Sequence, residues 1–293
     1  MKQHAYGYAA LVISCLGMAP VALAELRPIS DEAMGDVTGQ AFMQVENIPG
    51  PNHEFTRMTL GVDVQTRVNI DDIQAGTING GSDFSATYVA LGHISRDGTT
   101  VQYDGNTYAE GETVPFEAVQ PYIELAEDPT GQELAGFRMG FQQARGSVSS
   151  VTSSFSGNIG VTLVDGAGVS HAATLFDANT QATDYRATHI GINDGSADCS
   201  AGTNCAPLSH LQSIIVGTDN GDGTTGYTDD FFIGFQREDV EWQSPDGANV
   251  INAGQGVYIN LPSSMQVDLG QLTSSNGISR LRTHQTDLGA KLF

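Results

Sequence analysis

The sequence predicts an all-β protein of stacked antiparallel sheets, sandwich or jelly-roll-like, with one short helix near its N-terminus. Three observations lead there. From Phe55 to Ile73, Met58, Leu60, Val62, Val64, Val68 and Ile70 alternate with Arg57, Thr59, Gly61, Asp63, Gln65, Arg67 and Asn69. A helix would scatter those apolar side chains around its cylinder, whereas a strand collects them on one face and leaves the other wet. Shorter runs of the same kind recur at 84–94, 122–125, 137–141, 159–163, 190–192, 211–216, 231–235, 257–261 and 265–269. Between them stand Asp97-Gly98, Asp104-Gly105-Asn106, Asp165-Gly166, Asn193-Asp194-Gly195, Asn220-Gly221-Asp222-Gly223 and Asp246-Gly247, the residues that tolerate the positive φ of tight hairpins.

The elements follow in order. Lys2, the mostly apolar run Ala9 to Leu23 and the small-x-small site Ala22-Leu23-Ala24 make residues 1–24 an export signal, so the mature chain begins at Glu25 and folds outside the cytoplasm. Val12-Ile13-Ser14-Cys15 loosely matches a lipoprotein box, but apolar residues continue to Ala22 where a lipidated Cys would be followed by a polar tether. Residues 25–41 predict a short helix: Ser30 caps it, Asp31 and Glu32 occupy the first turn, Ala33, Met34 and Val37 form an apolar side, and Gly39 stops it. Residues 42–293 then form the β-rich domain, divisible into two sandwich halves near 145–157, where Ser147 to Ser156 is a polar strand or loop. Ile123 to Gln142 and Ile215 to Gln236 each run strand, acidic glycine turn, then a strand ending Gly-Phe-Gln: two copies of one hairpin, or coincidence.

Leu26, Ile29, Asp31, Met34, Val37, Gly39 and Gln40 together resemble a motif found directly after the signal peptide in a group of exported Gram-negative proteins, some carrying a provisional pilus-system (Fil-type) label. The strand beginning Phe55-Thr56-Arg57, the hairpin from Pro121-Tyr122-Ile123 to Gly140-Phe141, and Leu261-Pro262 with Met265 to Gly270 are similar to the same group. The resemblance implies an envelope or surface protein and brings no active site with it. The Val-x-Gly-Gln ending also resembles peptide-export leaders that end in Gly-Gly, with Gln40 in place of the second Gly.

Against 34 acidic residues stand 12 basic ones, a net charge of −22, and Lys occurs only at Lys2 and Lys291. That balance excludes nucleic acid as a partner and repels anionic membranes; it suits divalent cations, a saline exterior or plain solubility. No other stretch approaches the roughly 20 apolar residues of a membrane-spanning helix. Cys199 and Cys205 enclose a small polar loop in a chain bound for an oxidising compartment, and the spacing predicts a disulfide rather than a zinc site.

Candidate chemistry is thin. Asp219, Asp222, Asp229 and Asp230, in DNGDGTTGYTDD, supply the oxygen ligands calcium takes, although Gly221 and Gly223 fall where an EF-hand needs donors. Trp242, Tyr258 and Phe232, with Tyr122, Tyr227 and Phe231, make a candidate aromatic platform for a carbohydrate or apolar ligand. Gly-x-Ser-x-Gly is absent, the seven His are too dispersed for a local metal motif, and the carboxylates are too many for a glycosidase pair to be named. The terminal Phe293 faintly resembles the end of a membrane barrel's last strand, without the repeated lipid-facing strands that barrels require. The expected function is therefore a non-catalytic exported structural or interaction protein of the periplasm, outer surface or medium, pilus- or adhesion-associated. It would meet other envelope proteins and itself through strand edges, without a transmembrane helix. The alternatives are a calcium-supported carbohydrate-binding module and a secreted hydrolase with a dispersed site.

Overall fold

The structure, a computed structural model, describes residues 42–77, 80–130 and 133–283. The export signal and the short helix expected at 25–41 lie outside these residues. Among them, eleven strands form one open, mostly antiparallel sheet: β1 (Met43–Pro49), β2 (Glu54–Leu60), β3 (Asp63–Thr66), β4 (Val68–Ala75), β5 (Phe84–Leu91), β6 (Phe116–Glu127), β7 (Leu134–Ser154), β8 (Gly157–Ile159), β9 (Ser213–Val216), β10 (Phe232–Gln236) and β11 (Gly256–Leu261). The mostly β class is as the sequence predicts, and the sheet does not close into a barrel. No described helix is long and apolar enough to cross a membrane.

β7 organises the sheet. Its first half pairs with β6 on one side and β10 on the other, and its second half pairs with β5 and β9. The change falls at Gly146, whose φ of +131° is open to glycine and strained for other residues; a Cβ there would sit 3.0 Å from Phe116 Cα. The strand therefore turns a corner, and the sheet has a larger half, β1-β2-β6-β7-β10-β11-β8, and a smaller one, β4-β5-β7-β9. Most pairings are antiparallel, but β8 runs parallel to β11, and Thr162–Val164 runs parallel to Gln266–Asp268 in a small separate sheet.

Three expectations need correcting. The run Phe55 to Ile73 is three strands rather than one: β2 and β3 lie in succession along β6, and β4 crosses to pair with β5. Gly61 and Val62 form the first break, where the chain is held by the bond from the Gln120 amide to the Val62 carbonyl. The supposed hairpin repeat also fails, because β9 and β10 do not pair with each other but with opposite halves of β7. Leu269, read as the end of a strand, instead opens a helix, Leu269–Thr273, capped by Asp268, whose carboxylate accepts from the Gln271 amide.

Part of the acidic surplus is turn chemistry. Asp97, Asp165, Asp177, Asp194, Asp198 and Asp222 each accept hydrogen bonds from backbone or hydroxyl groups two to four residues ahead. Those bonds, chiefly from Thr99, Val169, Gln181, Ser196, Ser200 and Thr224 in turn, hold all six carboxyls below the ordinary aspartate value of 3.8. A depressed folded-state value contributes stability that is present above the unfolded value and lost as pH falls through the folded one. The thermal midpoint should therefore drop once pH passes below about 3.8, separately from the loss near pH 6.5 expected from His93 and His189, whose pKa values burial lowers; a midpoint at pH 3 equal to that at pH 5 would contradict this role for the turns.

The Cys199–Cys205 disulfide forms as the spacing predicts, with its Cα atoms 4.9 Å apart, and packs beside Phe176. Closing so short a loop removes little chain entropy, so replacing both cysteines with serine should cost about 2 kcal/mol in a denaturation experiment. A loss beyond about 5 kcal/mol would mean that the bond holds more than its own loop.

Candidate functional site

Register explains how the two halves of the sheet come to share an apolar space. In the larger half, Val45, Met58, Ile123, Met139, Ile233 and Ile259 are successive cross-strand partners on β1, β2, β6, β7, β10 and β11, so they share one face. In the smaller half Val68, Leu91, Val148 and Ile214 do the same on β4, β5, β7 and β9. All of these except Val45 line a single cavity of about 680 Å³. Phe116, Phe141 and Phe231 form an aromatic cluster with ring centroids 5.5–6.2 Å apart, and the latter two reach the cavity wall.

Among the described residues the lining carries no charged side chain. Its hydroxyl-bearing residues on the second half of β7 are Ser150 and Thr152. Their hydroxyls lie 2.8 Å apart and bond each other, while the Tyr122 ring lies against Arg57 and Arg138 on the opposite face of the sheet. The cavity deepens from an exposed end to a closed one. Met43 (51% exposed), Ile123 (43%) and Met139 (42%) rim it with Leu60, Val68 and Ile70, while Phe155, Ile159, Leu208 and Leu211 close it. Such a space can take up an apolar molecule and offers an ionised one nothing to offset its desolvation.

No family model, curated protein or solved structure significantly matches this chain. The site therefore rests on its own geometry.

The opposite face of the larger half is a second core, and here the aromatic platform is overturned. Phe232 and Tyr258 are buried with Phe55 and Ala126 in one cluster with Val240 and Trp242 of the hairpin Val240–Gln243 and Val250–Ala253, so none of the three platform rings is free to meet a sugar. Within that layer Arg57, Glu124 and Arg138 are direct neighbours across β2, β6 and β7 and almost wholly buried. Glu124 accepts from Arg57 Nε and from Arg138 Nη2, the latter at 2.9 Å. Arg138 also donates to the Gln243 carbonyl, and its guanidinium lies 4.9–5.3 Å from the ring centroids of Phe232, Trp242 and Tyr122. Two cations and one anion are thus buried together, and the aromatic faces take part of the surplus positive charge.

The four proposed calcium ligands are not assembled. Asp219 and Asp222 lie on an exposed hairpin, where they cap their own turn through Gly221 and Thr224. Asp229 and Asp230 lie near Asp246 instead; burial foremost, and then neighbouring carboxylates, raises both of their pKa values. Among the described residues no three His, Cys, Asp or Glu converge as metal ligands. A Ser–His contact does exist: His93 Nδ1 is 2.8 Å from Ser147 Oγ, with Gln102 Oε1 3.0 Å from Nε2. The serine is fully buried and burial lowers the pKa of His93, so the pair is a link in the core.

Sequence reasoning missed the cavity and the buried ion cluster. Apolar residues at 121, 123 and 125, at 137, 139 and 141, and at 231, 233 and 235 carry the signal for one apolar face. What lies opposite that face is decided by the corner at Gly146, which no local pattern announces.

Proposed function

We propose that this chain is a non-catalytic exported protein of the envelope or outer surface that holds an apolar ligand between the two halves of its bent sheet, in a sandwich-like scaffold. One observation carries the reading: a cavity of about 680 Å³ beside the main apolar core, with no charged side chain in its lining among the described residues. Protein interiors hold few voids larger than a water molecule, whereas ligand pockets run from about 300 to 1,000 Å³. Export rests on the N-terminal sequence.

A second reading, association with other surface proteins or with itself, is favoured by β1. It pairs only with β2 among the described strands, and it exposes Met43 and Val45 beside a free backbone edge. The two readings are compatible, since β1 also borders the cavity mouth.

The test is titration of the purified protein with N-phenyl-1-naphthylamine, an uncharged dye that brightens in apolar surroundings. Saturable binding of one dye per chain, abolished on unfolding, supports the reading. No enhancement at micromolar protein and dye would overturn it.

A further inference from the structure

We infer that the cavity takes an unbranched acyl chain, inserted tail first with its polar end left at the mouth; this rests on the reading of the cavity as a ligand site. Shape is the first reason. The lining runs from Met43 on β1 to Ile259 and Leu261 on β11, across five inter-strand steps of about 4.8 Å, which is a span on the order of 24 Å. Spreading 680 Å³ over that span leaves a mean cross-section of roughly 28 Å², about 6 Å across. That gives an elongated apolar space along which an extended chain of carbons can pack at van der Waals separations of about 4 Å.

Polarity is the second reason. Ser150 and Thr152 satisfy each other, and no cation faces inward, so a carboxylate or phosphate carried to the closed end would be desolvated without a partner. The chain must enter by its methyl end. The mouth suits this: its rim is apolar on both sides, and Met43, Met58 and Met139 supply unbranched, adaptable side chains that can follow a flexible ligand.

The experiment is displacement of N-phenyl-1-naphthylamine by saturated fatty acids from eight to sixteen carbons and by their methyl esters. Affinity should tighten about fourfold per added methylene, the transfer gain of a buried CH₂, until the chain fills the cavity. Each ester should bind within about threefold of its acid, because no group in the site reads the charge. Affinity flat with chain length, or acids binding more than about 100-fold tighter than esters, would overturn the inference. If the dye binds one to one while the series is flat, only the acyl assignment falls; if the dye does not bind either, the ligand-site reading falls with it. Palmitate offered free in solution and phosphatidylcholine offered in vesicles distinguish the two sources of such a chain, and uptake from either supports the inference.

Discussion

Replacing Glu124 with Gln is expected to destabilise the protein by about 3 to 5 kcal/mol, the cost of leaving buried charge without its partner. Arg57 and Arg138 are 2% and 0% exposed, and Glu124 is the carboxylate that both contact. The three rings around Arg138 stabilise one guanidinium by about 2 kcal/mol per desolvated contact, which does not replace an anion shared by two cations. Exchanging all three residues together for apolar ones of similar volume should instead be close to neutral, because the desolvation cost leaves with the charges. Denaturant midpoints for the single and triple variants check both statements. A single variant losing less than about 1 kcal/mol would show that the cluster is more hydrated than its burial implies.

Gly157 to Ala is the second large effect, expected to exceed about 3 kcal/mol. Gly157 begins the parallel pairing of β8 with β11, at a φ of +135° that an L residue seldom adopts. An added methyl would fall on the Ile259 carbonyl oxygen, and retreat is blocked on both sides: the Gly157 amide donates to Asp184 and the Ile259 amide to Ser156. The strand ending in Ile159 would lift from the closed end of the cavity, so dye binding should weaken alongside stability. A variant with the parent's denaturation midpoint would contradict the described pairing.

Much of the fold is legible in the sequence, for physical reasons that also mark where legibility ends. Turns are local: Asp246-Gly247 caps the hairpin over the second core, and Asn220-Gly221-Asp222-Gly223 tips another. The disulfide is equally local, since a six-residue separation leaves the two cysteines little choice. Alternation is informative in a narrower way, because it says which side chains share a face and nothing about what covers that face. On β2 the sequence sorts Phe55, Arg57 and Thr59 from Thr56, Met58 and Leu60, and charge suggests that Arg57 is wet. The structure buries Arg57 beneath a hairpin almost two hundred positions away and leaves Leu60 at the rim of a cavity. Trp242 goes the same way: a lone tryptophan looks like a ligand platform until the layer beneath it is known. The candidate site depends on such long-range placement throughout, and so it becomes visible only with the corner in β7.

The most direct test of the ligand-holding account is dye binding to the parent protein and to Ser150→Phe, a substitution that points a ring into the cavity from the second half of β7. The ring fills apolar space but leaves the Thr152 hydroxyl without its Ser150 partner, so the thermal midpoint should fall modestly at most while dye affinity falls at least about tenfold, about 1.4 kcal/mol. Equal dye affinity in a folded Ser150→Phe protein would place the dye elsewhere and contradict the account.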